Sequence, residues 1–300
     1  MTRLTLAITV ATLSPLALLG QDALSAPRIG TVLSSDGFLH DIQGIPGACR
    51  FVQNADTSHY IAFQVASHGL LMLAATADSI VITGYGTRRF TLTSAPRAVA
   101  VSPKGTFFAV ATNEALTVYS LTNPDILPKA TDLADLAIAD GPLSLAVSDN
   151  GVVLLADATH VALTGIGVST AQAPLALSFP RFIPASDAAV AYSSSDSALV
   201  LVHTDTLSAE RLLAASDGLS TPTGIEFSAD GTTAWISQSG TNSVMSYSLE
   251  TRSATSFDVG SQGALRSIGL PGVFVWNETA ILDAQRAAPQ VLLVATEVAN

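Results

Sequence analysis

Gly224-Ile-Glu-Phe-Ser-Ala-Asp-Gly231 runs into Thr232-Thr-Ala-Trp-Ile-Ser237, then through Gln238-Ser-Gly-Thr-Asn242 into Ser243-Val-Met-Ser-Tyr-Ser-Leu249. Apolar runs of five or six residues separated by Gly, Asp, Asn and Ser read as short strands joined by tight turns. The Asp-Gly pair has a specific use: a short hairpin loop needs a residue that tolerates positive φ, and Gly or Asx does so at least cost.

The same unit recurs. Arg97–Gly105 leads into Thr106–Thr112, and Leu143–Gly151 leads into Val152–Ala156. Weaker copies are Ile61–Gly69 before Leu70–Leu73, Phe182–Asp187 before Ala188–Tyr192, and Leu265–Gly272 before Val273–Trp276. The turn anchors Gly69, Gly105, Gly151, Asp187, Gly231 and Gly272 are separated by 36, 46, 36, 44 and 41 residues. That period is the signature of four-stranded propeller blades. The expectation is an all-β propeller of about six blades, or seven if residues 28–54 supply most of a further one. Within each blade, the strand before the turn is innermost. Outer strands such as Arg89–Thr93, Glu210–Ala214 and Ser253–Val259 are polar, as an edge facing water should be. Only 28 residues follow Gly272, so Phe38–Ile42 is expected to complete the last blade as an outer strand and close the ring.

Residues 224–251 resemble the repeat of bacterial YVTN/NHL-like propellers, with their Ser-x-Asp-Gly turn, aromatic-aliphatic strand, polar loop and Val-x-x-Tyr-like third strand. Ser102-Pro-Lys-Gly105 and Ser148-Asp-Asn-Gly151 are similar in weaker form. The resemblance implies a fold. Function does not travel with so widely shared an architecture.

The N-terminus reads differently. Arg3 precedes an uncharged Leu4–Leu19 run, and Ala23-Leu24-Ser25 places small residues at −3 and −1 before Ala26. This is the pattern of a secretory leader over 1–25, with one propeller domain over 26–300. Pro15 and four hydroxyl residues argue against a retained anchor, and no later stretch is long and apolar enough to span a membrane. The chain is expected to be exported, to the periplasm, cell surface or medium.

Composition narrows the partners. The 300 residues are 48% hydrophobic and carry a formal charge of −11. An acidic surface repels phosphate backbones and anionic lipid, so nucleic acid is not an expected partner. Cys49 is the only cysteine. An intrachain disulfide and a cysteine-based zinc site are therefore excluded, and Cys49 reads as a small buried hydrophobe.

The motif search finds no Gly-x-Ser-x-Gly elbow, phosphate loop or dinucleotide fingerprint. Gly84-Tyr-Gly86 and Gly165-Ile-Gly167 read as turns. Asp36, Asp149, Asp187 and Asp230 sit at repeat turns, where Asp bonds its own backbone. His40, His59, His68, His160 and His203 show no metal-ligand spacing, so no metal or cofactor is expected. Asn277-Glu-Thr279 matches a glycosylation sequon.

One constellation points to a ligand. Arg97, Arg181 and Arg266 each lie near the start of an innermost strand, at the mouth of the central channel. Three guanidinium groups there suit a carboxylate or another small anion; pairing with neighbouring acids is the competing use. The first functional expectation is thus a non-catalytic binding propeller for a protein or small anionic ligand. The second is a lactonase-like hydrolase, which would gather residues such as His59, His160, His203, Asp157 and Glu114 at one channel mouth. A third is self-assembly of the repeat.

Overall fold

The computed structural model describes residues 26–296 apart from 46–47, 67–70, 85, 261–262, 269, 271, 277–279, 286–288 and 294. The leader, His68 with the Gly69 turn, and the sequon at 277–279 lie outside these residues.

Seven four-stranded blades make up the propeller, antiparallel throughout except for one parallel pair in blade 1. Their inner strands are Arg28–Leu33, Ala62–Val65, Ala98–Val101, Ser144–Val147, Leu177–Phe182, Pro222–Phe227 and Leu265–Ser267. Blades 2 to 7 occupy 62–91, 98–132, 144–173, 177–214, 222–258 and 265–293. Second strands such as Phe107–Ala111 and Val152–Ala156 are buried at every residue, because blades pack on both of their faces. Fourth strands such as Arg88–Thr91 and Ser253–Asp258 are mostly exposed. Among the described residues the only helices are two 3-10 turns, Ala134–Leu136 and Ala215–Asp217.

The blade number is the larger of the two expected. Ser34-Ser-Asp-Gly37 is a seventh copy of the turn, with Gly37 at φ +83° and its amide donated to the Ser34 carbonyl. The closure also differs from expectation. Leu39–Ile45 is the second strand of blade 1, not an outer strand of the last blade. Blade 7 needs no help, because the residues after Gly272 form three strands: Val273–Trp276, Ala280–Asp283 and Gln290–Leu293. The ring closes when Ala295–Thr296 adds to blade 1 as its fourth strand, parallel to Ala48–Gln53.

Blade 1 is inverted. Leu33, at the turn end of its inner strand, lines the same opening as Ile61, Arg97 and Leu143, which stand at the starts of theirs. Gly30 abuts Ile268, just beyond the end of the blade 7 inner strand. Inner strand 1 therefore runs against inner strands 2 to 7. The cause is parity: three consecutive strands leave the chain on the side opposite its entry, whereas four return it to the same side.

The inversion shows in the packing. Buried hydrophobic clusters fill the seams between blades, with 14 residues at blades 4/5, 13 at 3/4 and 7 at 6/7. Among the described residues, the seam between blades 1 and 2 holds three, Leu39, Tyr60 and Ala74, with Leu33 and Phe63 partly buried against them. Across this seam blade 2 offers Met72, Ala74 and Val81, but blade 1 offers a polar network. Asp41 accepts from the Thr31 hydroxyl at 2.8 Å and from Asn54 at 3.0 Å, with Arg28 3.6 Å away.

Turn carboxylates split into two uses. Asp36 and Asp230 accept local amides, from Phe38 at 2.9 Å and Thr232 at 3.1 Å. Asp149 instead links blades, accepting the Lys104 amide of blade 3 at 2.7 Å and the Ala185 amide of blade 5 at 3.4 Å. Asp187 accepts the Asn150 side-chain amide at 3.0 Å. It does not take the positive φ expected of a turn anchor; in blade 5 that falls on Ala185, at +61°.

Candidate functional site

The inner strands leave one backbone edge facing the axis. Amides and carbonyls there have no neighbouring strand and need other partners. One register position supplies them repeatedly. Gln64, Arg181, Glu226 and Arg266 each occupy the penultimate pair of their blade's first hairpin. Each reaches the following blade. Gln64 Oε1 accepts the Val101 amide at 3.0 Å. Arg181 Nη2 meets Glu226 Oε1 at 3.4 Å. Glu226 accepts the Ser267 amide, and Arg266 Nη1 donates to the Leu33 carbonyl at 3.2 Å. From blade 5 to blade 1 the links are continuous.

Glu226 is 8% exposed. Burial raises its pKa, opposed by the Arg181 charge and hydrogen bond and by the Ser267 amide. A carboxylate in that position depends on its guanidinium partner.

Above this ring the channel opens into a cavity of about 360 Å³ lined by Arg97, Arg181 and Arg266 together with Phe63, Leu143 and Phe179. The three arginines singled out from sequence thus share one opening. Their engagements differ. Arg97 is largely buried and donates to the Gly141 carbonyl at 2.6 Å and the Ala139 carbonyl at 3.3 Å, which fastens the loop between blades 3 and 4. Arg181 is held by Glu226 and the Pro180 carbonyl. Arg266 uses one N–H on Leu33 and presents the rest of its fork to the cavity. Phe179 enters the same opening at φ +55°, beside a register shift before Arg181. Left-handed backbone at a bulky residue is strained, and the ladder resumes at the Arg181–Val190 pair.

The hydrolase candidates do not meet there. His59 stacks edge-on against Phe38, His160 Nδ1 contacts the Thr159 hydroxyl at 2.9 Å, and His203 lies 3.5 Å from Glu210. Asp157 is occupied by amides. Burial pushes its pKa up, but the Ala139, Thr159 and His160 N–H groups outweigh that and hold it below the usual carboxylate value. Glu114 is exposed. None of the five lines the channel or its mouth. Among the described residues, no three His, Cys, Asp or Glu side chains form a metal-binding group. Cys49 is buried and unbridged.

Sequence reasoning missed Gln64 and Glu226. The signal was present: both precede a repeat turn at the register of Arg181 and Arg266, a place that apolar or small residues fill in the other blades.

No family model matches this chain, and no curated protein matches it. Solved structures do. Sqt1 of Chaetomium thermophilum, bound to the N-terminus of the ribosomal protein L10, is similar over 88% of this chain and 80% of its own, at 18% identity and a TM-score of 0.57. Sqt1 alone gives 17% identity and 0.55. The β-propeller domain of Myceliophteria thermophila Cps50 (Swd1) is similar over 80% of this chain and 88% of its own, at 10% identity and 0.58. At these identities the likeness establishes the β-propeller fold alone.

Proposed function

We propose that this chain is an exported, non-catalytic binding propeller of the YVTN-like kind, which holds an anionic group of a protein partner or small ligand at the arginine-lined channel mouth. The observation that carries the reading is the shared opening of Arg97, Arg181 and Arg266, combined with the dispersal of His59, His160, His203, Asp157 and Glu114 away from it. Arg266 is the recognition group, because most of its fork is uncommitted; Arg97 and Arg181 shape the site and add positive potential. A similar propeller-shaped chain, Sqt1, holds a protein segment, which supports a protein partner. The leader-like segment at 1–25 supports export.

Calorimetric titration with citrate and with a peptide bearing a free C-terminal carboxylate tests the site. Saturable heat that disappears in Arg266→Ala is expected. No saturable heat from either probe overturns the reading. Export is tested by sequencing the N-terminus of secreted protein: Ala26 is expected, and retention of Met1 in the cytoplasm defeats that part.

A further inference from the structure

The recess above the axial ring holds more than guanidinium groups. Leu33, Ile61, Phe63, Leu143 and Phe179 line the same cavity of about 360 Å³. Ile61 is 47% exposed, one of three large hydrophobic side chains so uncovered among the described residues. The other four are only half-buried. Apolar surface that the fold itself does not cover is available to a guest. A cavity of roughly 150 Å³ already holds a benzene ring, so this recess takes a large apolar side chain with a carboxylate beside it. Phe179 reaches it from left-handed backbone, at φ +55°, and strain of that kind clusters at ligand-binding sites.

The charges do not cancel. Among the described residues no carboxylate lines the recess. Two acids act on it from outside: Glu226, in the ring below, meets Arg181 at 3.4 Å, and Asp140, fully exposed, lies 3.9 Å from Arg97. Arg97 is further occupied by the Gly141 and Ala139 carbonyls. Arg266 alone keeps most of its fork, with the Leu33 carbonyl as its partner. One available guanidinium suits one carboxylate rather than a polyanion.

Main-chain partners stand in the same recess. In an antiparallel ladder alternate residues bond the partner strand, and those between point the other way. Ala66, Ser102 and Ser148 donate their amides to Leu71, Phe107 and Val152. Phe63, Val99 and Leu145, three residues earlier, therefore turn amide and carbonyl towards the axis. The Val101 amide, which meets Gln64 there, has the same phase. No neighbouring strand covers these edges, which fit the main chain of an extended peptide.

We infer that the mouth binds the C-terminus of a polypeptide that ends in a bulky apolar residue. Its α-carboxylate sits on Arg266. Its last side chain lies against Leu33, Ile61 and Phe63, the apolar sector beside that arginine, and its main chain bonds the axial edges of Val99 and Leu145. This occupant presupposes the anion site proposed above. A chain end suits the recess better than an internal acidic side chain, because Gln64, Arg181, Glu226 and Arg266 floor it. An internal segment would have to enter and return.

Calorimetry compares a Gly/Ser hexapeptide ending in Phe, its C-terminal amide, the same peptide ending in Ser, 3-phenylpropionate and citrate. The free acid ending in Phe is expected to bind roughly tenfold more tightly than its amide, than the Ser-ended acid, and than 3-phenylpropionate, which lacks the main chain. Ile61→Ser, at an exposed position, removes most of the preference for Phe over Ser. Arg266→Ala makes acid and amide equal. Circular dichroism confirms that both variants fold. Citrate binding with equal affinity for the Phe- and Ser-ended acids overturns the apolar terminus and leaves the anion site standing. Citrate binding with equal affinity of wild type for acid and amide overturns the C-terminus in the same way. Binding of 3-phenylpropionate as tight as that of the peptide overturns a polypeptide occupant in favour of a small carboxylate. An undiminished preference for Phe in folded Ile61→Ser overturns the placement of the last side chain. Silence from every probe overturns the anion site itself.

Discussion

Arg181→Met isolates the energetics of the axial ring. Methionine keeps an apolar stem of similar length and removes the guanidinium. Glu226 is then a buried carboxylate left with the Ser267 amide alone. Breaking one side of a buried pair costs about 3–5 kcal/mol. The Arg181 side chain is 34% exposed, so solvent already shares part of the interaction, and a loss of about 2–3 kcal/mol near neutral pH is the appropriate figure. For a domain of this size that lowers Tm by about 5–10 °C. The pH dependence has a definite sign. Glu226 has its folded pKa raised above the unfolded value. The folded state therefore holds the proton more tightly, and stability falls as pH rises from the unfolded pKa to the folded one. Removing Arg181 raises the folded value further, so the loss is larger at about pH 7 than at about pH 5. Arg181→Met/Glu226→Gln removes the charge altogether and recovers most of the stability. Circular dichroism melts of the wild type, both singles and the double at both pH values complete a double-mutant cycle. An Arg181→Met loss that is equal at the two pH values, and equal with and without Glu226, would falsify the assignment of Glu226 as a charge held by its neighbour.

Three further outcomes are expected. Gly151→Ala forces a Cβ 3.1 Å from the Phe107 ring at φ +79°. It should cost about 1–2 kcal/mol by chemical denaturation; an unchanged midpoint counts against strain at the turn. Asp157→Ala strips three backbone amides of their acceptor, with an expected loss of about 2–3 kcal/mol. Because the Asp157 pKa is depressed, its contribution is present above the unfolded carboxylate pKa and fades as pH falls through the folded value, so wild type and variant should converge in acid melts. Trp276→Ala empties a site that is 1% exposed at the blade 6/7 seam and should cost about 3–5 kcal/mol, measured by the same denaturation series.

The propeller was legible because its cause is local. A hairpin turn that needs positive φ recruits Gly, and Gly105, Gly151, Gly231 and Gly272 all adopt it. Blade number was harder to read for the same reason in reverse. Ser34-Ser-Asp-Gly37 carries the turn chemistry, but the strands around it, with His40, Asp41 and Gln43, lack the apolar density of the other copies. That polarity is a consequence of the seam it faces, which only the assembled ring reveals. The direction of blade 1 is not written in any one residue, since it follows from counting strands modulo two. At the channel mouth, position was readable and partnership was not. The spacing of Arg97, Arg181 and Arg266 from their turns put them near the axis, but their partners, the Gly141 carbonyl, Glu226 and the Leu33 carbonyl, lie 44, 45 and 233 residues away in the chain. The register of a bridging side chain before its turn can be read locally, but the partner it takes cannot.

The three-residue core between the first two blades has a mechanical meaning. A hoop whose staves are glued at six joints and only tacked at the seventh flexes at the tack, whatever the direction of load. Thermal breathing should therefore part Leu39 from Ala74 long before it disturbs the other joints. A toroid that would otherwise be rigid gains one gate, set where its first three strands were laid down against the grain.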